Sequence, residues 1–281
     1  MKRYFLYDNV LQSEKAPSIA VATRALFDFL NLTIPRLQEA KADLGSEIMA
    51  LDKKQFIEHN AHTIALASTE DAHIICVENS GFISLKMTLE ALINDTSLYE
   101  TIVENLAQKS LKLNLDIEIL QLETFLVREV GLETLARFIK HPFDAFYVAS
   151  FLGTSSCQTR KFTEIALKDA LIELVHAKKI PFETAYESDG FEVFESSELL
   201  AKRFAAKTLL DMFDNGADFI LVDDVRSFIM FDFYQRACEK VAGREIGLSV
   251  LTIPQLLLLA FGVMDKEKLG INQHKIPVTL I

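Results

Sequence analysis

The sequence predicts an α/β protein made of two tandem, related repeats, each with a short, mainly parallel sheet flanked by helices. Three observations carry that prediction. Short apolar runs alternate with helical patterns along all 281 residues. Three strand, loop and helix units of the first half recur in the same order in the second. Half of the residues are hydrophobic and a quarter are charged, the balance of a folded chain.

The first unit is the run Tyr4-Phe5-Leu6-Tyr7-Asp8 followed by a helical pattern over residues 18–30. Its counterpart is Phe146-Tyr147-Val148-Ala149-Ser150 with a helical pattern over 159–175. Apolar side chains recur at three- and four-residue spacing in both helices. The second pair of strands is His73-Ile74-Ile75-Cys76-Val77 and Phe219-Ile220-Leu221-Val222, each running into a polar turn and a helix. The third pair begins at Ile119 and Ser249, and each is followed by a helix that reaches a glycine, Gly131 or Gly262. Pro142 lacks an amide donor and disfavours helix at His141, so a helix over 132–140 should stop there. The predicted domains are therefore 1–141 and 142–281, packed together across a short join.

Composition and motifs exclude several functions. A formal net charge of -11 disfavours a broad phosphate-binding surface, so no nucleic-acid partner is expected. The apolar start of the chain ends at Asp8 and Asn9, short of a signal peptide, and the apolar run over 253–263 is too short to span a bilayer and reads as a buried helix. Cys76, Cys157 and Cys238 are isolated, with no C-x-x-C pair, and suit a reducing cytoplasm as small buried hydrophobes. Gly45, Gly81, Gly153 and Gly190 form no nucleotide-binding motif. His59 and His62 stand three apart on a helix without a third ligand and are expected on an exposed polar face. Thr154-Ser155-Ser156-Cys157 precedes a helix, but no base is positioned beside the thiol. The run from Phe228 to Tyr234 is expected to be buried between sheet and neighbouring repeat rather than exposed for docking.

The duplicated pattern resembles the family that includes the B subunit of heterodisulfide reductase, the E subunit of non-classical succinate dehydrogenases and the iron–sulfur subunits of glycolate and lactate oxidation. Phe5-Leu6-Tyr7-Asp8 stands where that family has Phe-Leu-Gly-Cys, Asp43-Leu44-Gly45 at its first Cys-Cys-Gly, and Glu78-Asn79-Ser80-Gly81-Phe82 at its first Cys-Asn-x-Cys-Phe. In the second half Val148-Ala149-Ser150 matches the strand ending in Gly-Cys, and Ser188-Asp189-Gly190 keeps the glycine of the second Cys-Cys-Gly. Asp224 and Ser227 fall at the second Cys-x-x-Cys, and Leu251-Thr252-Ile253-Pro254-Gln255-Leu256-Leu257 resembles the Leu-x-x-x-Gln-Leu-Leu helix start. The resemblance implies the family's fold over essentially the whole chain. It also implies that clusters held by thiolates in relatives have no ligands here.

The expected function is that of a non-catalytic, cluster-free protein without cofactor, acting in binding, assembly or regulation beside redox complexes. A protein partner is expected, and a homo-oligomer is the alternative use of the two repeats. The vestigial pocket would comprise Asp8, Asp43, Glu78, Asn79, Ser150, Ser188, Asp189, Asp224 and Ser227. The competing reading is a small-ligand or divalent-metal protein, an enzyme included, that reuses the acidic loops. It requires Asp8, Asp43 and Glu78 to converge as oxygen ligands. Helix capping and turn hydrogen bonds are the structural use of the same residues.

Overall fold

A computed structural model describes residues 2–8, 13–153, 162, 165–181 and 188–280. The run Thr154 to Cys157 and the first part of the helical pattern over 159–175 lie outside the described residues.

The first half begins with β1 (Tyr4–Tyr7), and α1 (Pro17–Phe29) follows with proline at its first turn, where the missing amide costs nothing. The short α2 (Ile48–Leu51) leads into α3 (Lys53–Thr69), whose N-cap Asp52 accepts from the Gln55 amide. Then come β2 (His73–Cys76), α4 (Asn79–Asn94), α5 (Thr96–Ala107) and β3 (Ile119–Gln121). Helix α6 (Leu122–Phe125) widens into a π-helical stretch (Leu126–Gly131) and ends in α7 (Leu132–Ala136).

The second half contains β4 (Tyr147–Phe151), α8 (Ile165–Leu174), β5 (Lys178–Lys179) and α9 (Glu198–Asp214). After β6 (Phe219–Val222), α10 (Val225–Phe228) runs into a second π-helical stretch (Ile229–Phe233) and α11 (Gln235–Ala242). Strand β7 (Ser249–Thr252) and α12 (Ile253–Ala260) close the fold.

Both sheets are parallel, as the alternation of strands and helices predicts. Their orders are β1-β2-β3 and β5-β4-β6-β7, so β4-β6-β7 has the chain order of β1-β2-β3. Tyr4 pairs with His73 and Ile74 with Ile119 in one sheet; Val148 pairs with Phe219 and Phe219 with Ser249 in the other. Every residue of β6 and β7 is buried, the pattern of parallel strands covered on both faces.

One apolar core runs through both halves. It joins Leu26 and Phe27 of α1 and Phe125 of α6 to Phe219, Leu251 and Leu256. Phe29 stacks on Phe261 with ring centroids 5.2 Å apart, and Phe138 meets the same ring at 5.7 Å. The join between the halves is tied down by the amides of Lys140 and His141, which both donate to the Ala260 carbonyl at 2.8 and 2.9 Å. That tie replaces the last turn of the predicted helix over 132–140, and α7 ends at Ala136.

Helix α12 is buried at all eight positions, as its apolar run implies. Its capping box joins Thr252 to Gln255, whose side-chain amide also donates to the Leu269 carbonyl at 3.1 Å and to His274 Nε2 at 2.8 Å. The Gln-Leu-Leu helix start thus anchors the C-terminal segment. Phe228, Ile229, Met230, Phe231 and Asp232 are buried, and only Phe233 and Tyr234 reach partial exposure.

The expected exposed face for the two helix histidines is corrected by the fold. His59 and His62 are half-buried; His59 Nε2 donates to the Ala42 carbonyl at 2.7 Å, and burial lowers the His62 pKa. The segment before α2 folds back over that face of α3, which charge patterning along one helix does not reveal. Strand β5 has no signal in the sequence either. It is two exposed lysines, Lys178 and Lys179, paired to Tyr147 and Val148, with no apolar pattern to announce it.

Candidate functional site

The carboxyl ends of the strands from the two sheets meet. The Asn79 amide donates to the Asp223 carbonyl at 3.0 Å, and Arg226 reaches Glu47 at 2.7 Å. Each contact joins one half to the other.

In the first half, Glu78 follows β2 and caps α4. Its carboxyl oxygens accept from the amides of Gly81 at 2.6 Å and Ser80 at 3.0 Å, so helix-end donors are satisfied by a side chain. Ser80 Oγ donates to Asp43 Oδ2, while Asp43 Oδ1 is buried without a partner. Asn79 accepts from the side chain of Gln121, at the end of β3. Asp8 lies between two guanidiniums, accepting from Arg24 at 3.0 Å and from Arg36 Nε. Asp8 is thus engaged by arginines, and its expected convergence with Asp43 and Glu78 on a metal is not what its partners describe.

Tyr7 decides how much room this half retains. Its hydroxyl donates to the Lys41 carbonyl at 2.8 Å, and its ring lies 2.8 Å from the point where a Cβ on residue 81 would stand. Tyr7 stands where the resembled pattern Phe-Leu-Gly-Cys has glycine, and Gly81 where the pattern Cys-Asn-x-Cys-Phe has its second cysteine. Gly81→Ala should therefore destabilise the protein by about 1–3 kcal/mol through overpacking. Helix propensity alone predicts a gain of about 1 kcal/mol from the same change. Urea unfolding of the variant distinguishes them by sign.

The second half uses the same devices. Asp224 follows β6 and caps α10, accepting from the amides of Arg226 at 2.8 Å and Ser227 at 3.4 Å. Ser227 Oγ donates to Asp189 Oδ2 at 2.6 Å, and Asp189 Oδ1 accepts from the Phe191 amide at 2.9 Å. Ser188 Oγ accepts from the Gly190 amide at 2.8 Å and donates to Glu192. Gly190 sits at φ +79, and an added Cβ would run into the Ala201 carbonyl, so the turn requires glycine. Ser150 remains in β4, half-buried, opposite Leu221. The Arg226–Glu47 pair lies across Gly45, so a residue of the second half fills the turn of the first Cys-Cys-Gly position.

Between the halves is a crevice of about 10 Å³, the room of about one water, walled by Glu78, Glu123, Asp223, Asp224 and Thr252. Lys168 enters from α8 with 3% of its side chain exposed, 3.3 Å from Asp223 and 2.8 Å from the Phe151 carbonyl. Glu123 and Lys168 escape the sequence-based reading. Glu123 closely follows β3 and Lys168 meets Phe151 and Asp223 of its own half, but neither belongs to a motif or a repeated pattern that marks it.

The crevice raises carboxylate pKa values chiefly by burial. Asp223 is pushed up to about 6, burial being partly offset by Lys168. Glu123 rises to about 7 through burial and then the charge of Asp223, and Asp189 to about 7 through burial, opposed by its bond from Ser227. Glu78 is held well above the usual range by burial and by the neighbouring Asp224 and Asp43. Asp224 is raised by burial against the pull of Arg226. Asp223, Glu123 and Asp189 thus take up and release protons near neutrality.

Among the described residues no group of three or more His, Cys, Asp or Glu side chains is arranged to hold a metal ion. The two described cysteines, Cys76 and Cys238, are buried, and burial raises both thiols, Cys238 to about 12. Thiolate is the ligand that iron–sulfur clusters require, and the residues at these strand ends do not fit one.

The fold is α/β, with two parallel sheets flanked by helices, and the comparisons agree with it. Residues 191–275 match the family model described as the HdrB-like C-terminal domain, which bears out the resemblance over that part of the chain. At 22% identity the chain is similar to the 8-methylmenaquinol:fumarate reductase membrane anchor subunit of Wolinella succinogenes, over 99% of this chain and 98% of that protein. It shares its fold, at a TM-score of 0.83 and 22% identity, with the crystal structure of a hypothetical protein from Helicobacter pylori. All of this chain is covered there, and it spans 53% of that longer chain. Among the described residues no helix is long and apolar enough to cross a membrane.

Proposed function

We propose that this chain is a cluster-free, non-catalytic component of a redox complex, in which it binds, assembles or regulates its neighbours. The observation that carries this reading is the occupation of the old strand-end sites by the protein itself. Tyr7 packs over Gly81, Arg226 and Glu47 lie across Gly45, and Glu78 and Asp224 cap helices. A scaffold retained under these conditions is retained for its surfaces rather than for a bound cofactor. The similarity to a fumarate reductase membrane anchor subunit supports a place in such a complex at the membrane, reached without a spanning helix of its own among the described residues.

Two related repeats, 1–141 and 142–281, are part of the same proposal, supported by the shared order of β1-β2-β3 and β4-β6-β7. A cytoplasmic location fits the reduced, buried Cys76 and Cys238. Anaerobic purification of the native chain under gentle conditions tests the assembly role. It should co-elute with redox proteins in fixed ratio. Elution as a solitary monomer at working concentration contradicts the proposal.

A further inference from the structure

Helix α9 (Glu198–Asp214) buries Ala201, Ala205, Ala206, Leu209 and Met212 on one side. Its other side keeps Leu199, Leu200 and Phe204 in solvent, at 54%, 39% and 40% exposure. Eight large hydrophobic side chains are exposed among the described residues, and three of them fall between positions 199 and 204. Single exposed apolar residues are ordinary; adjacent ones mark a contact surface. Leu200 and Phe204 are four apart and lie side by side on the helix.

The charges beside them are of one sign. Between Glu198 and Asp211 the helix carries Lys202, Arg203 and Lys207 and no carboxylate, in a chain whose 40 acidic residues outnumber its 29 basic ones. Arg203 and Lys207 are exposed on the same side as Leu199, Leu200 and Phe204. Lys202, paired to Glu198, lies at the border, 5.8 Å from the Tyr234 ring, which packs on Phe194 at 4.9 Å. Both rings are half-buried, so the apolar surface continues beyond the helix.

We infer that this face of α9 docks an amphipathic acidic helix of a partner protein. The apolar side of that helix covers Leu199, Leu200 and Phe204, and its carboxylates meet Arg203 and Lys207. The inference rests on the proposed role in assembly and gives that role a surface. A second copy of this chain fits poorly, because a two-fold contact through this face sets the same cations against one another. An anionic lipid surface repels a chain of net charge -11. A partner helix that brings its own carboxylates meets neither obstacle.

The test uses the full chain and a fluorescein-labelled peptide that repeats Leu-Glu-Glu-Leu-Leu-Glu-Glu, beside a counterpart with lysine for glutamate, followed by fluorescence anisotropy. The acidic peptide should bind with a dissociation constant on the order of 100 µM, weakening as salt rises, and the basic one should not saturate. Phe204→Ser, Leu200→Gln and Arg203→Glu should each weaken the acidic peptide about tenfold with native circular dichroism spectra. The same variants should lose the redox proteins that co-elute with the native chain. No saturable acidic-peptide binding at about 1 mM overturns the inference, as does equal binding of the two peptides. Self-association, or capture by phosphatidylglycerol vesicles, that Phe204→Ser abolishes while the acidic peptide stays unbound overturns it in favour of a second copy or a membrane. Co-elution that survives all the variants overturns the surface and leaves the assembly role standing. A native chain that elutes alone overturns that role, and the inference with it.

Discussion

Lys168→Met should cost about 3–5 kcal/mol of stability at pH 7.5, the usual effect of stripping one partner from a buried ion pair. The lysine is 3% exposed and the Asp223 carboxyl 4%, and their charged atoms are 3.3 Å apart. Methionine keeps much of the length and none of the charge. Asp223 would then be left among Glu123 and Asp224 with no cation to answer it, and the Phe151 carbonyl would lose its 2.8 Å donor. The loss should shrink at pH 5.5, where Asp223 takes up a proton and needs no cation. The double variant Lys168→Met with Asp223→Leu should recover most of the stability, since apolar replacements of buried pairs are often neutral or better. Denaturant unfolding of the two variants at both pH values measures this. A single-variant loss under about 1 kcal/mol would mean that the pair is solvated and that the halves do not close over it.

Acidification from pH 7.5 to 5.5 should stabilise the protein, against the common expectation for an acidic chain. Glu78, Glu123, Asp189, Asp223 and Asp224 all have native pKa values above those of free carboxyls, with burial the first cause in each. Unfolded, they release their protons near pH 4. Between about pH 4 and the native values, about 6 for Asp223 and about 7 for Glu123 and Asp189, the folded state holds protons that the unfolded chain has lost, so stability falls as pH rises through that window, and Glu78 and Asp224 act in the same direction. His274 works the other way. Burial lowers it to about 4, so below about 6.5 the unfolded chain binds the proton that the native state refuses. Five carboxyls outweigh this histidine and His62, which is lowered in the same sense. The net gain should be on the order of 2 kcal/mol, seen as a melting temperature several degrees higher. Glu123→Gln should stabilise at both pH values, by about 1–2 kcal/mol more at pH 7.5 than at pH 5.5, because the unfolded carboxyl is ionised at both and the native one is protonated at pH 5.5. Stability that declines steadily over the same range would show these carboxyls to be ionised in the native state.

Strands β1, β2, β4, β6 and β7 are legible in the sequence because each is a compact apolar run ended by a polar turn. The run starting at Ile119 reads as strand followed by helix, and the strand proves to be only three residues, since Leu122 already begins α6. Neither π-helical stretch can be foreseen, because apolar spacing reports a face and not the hydrogen-bond step. At the strand ends, the acidic and hydroxyl positions stand out by their places in a repeated pattern, and Glu78 and Asp224 prove to be helix caps. The pattern groups Asp8 with Asp43 and Glu78, yet Arg24 within α1 and Arg36 in the segment after it claim Asp8 instead. Glu123 and Lys168 stay hidden for the opposite reason. Nothing in the local pattern of either helix marks its charge as one that will be buried at a strand end.

In the proposed reading, the chain's own side chains fill its strand ends and no iron–sulfur cluster is bound. Iron and acid-labile sulfide analysis of the anaerobically purified native chain tests it most directly. A colourless protein with iron and sulfide far below one equivalent per chain is expected, whatever partners accompany it once these are separated. Near-stoichiometric iron and sulfide with a brown chromophore on the isolated chain would contradict it.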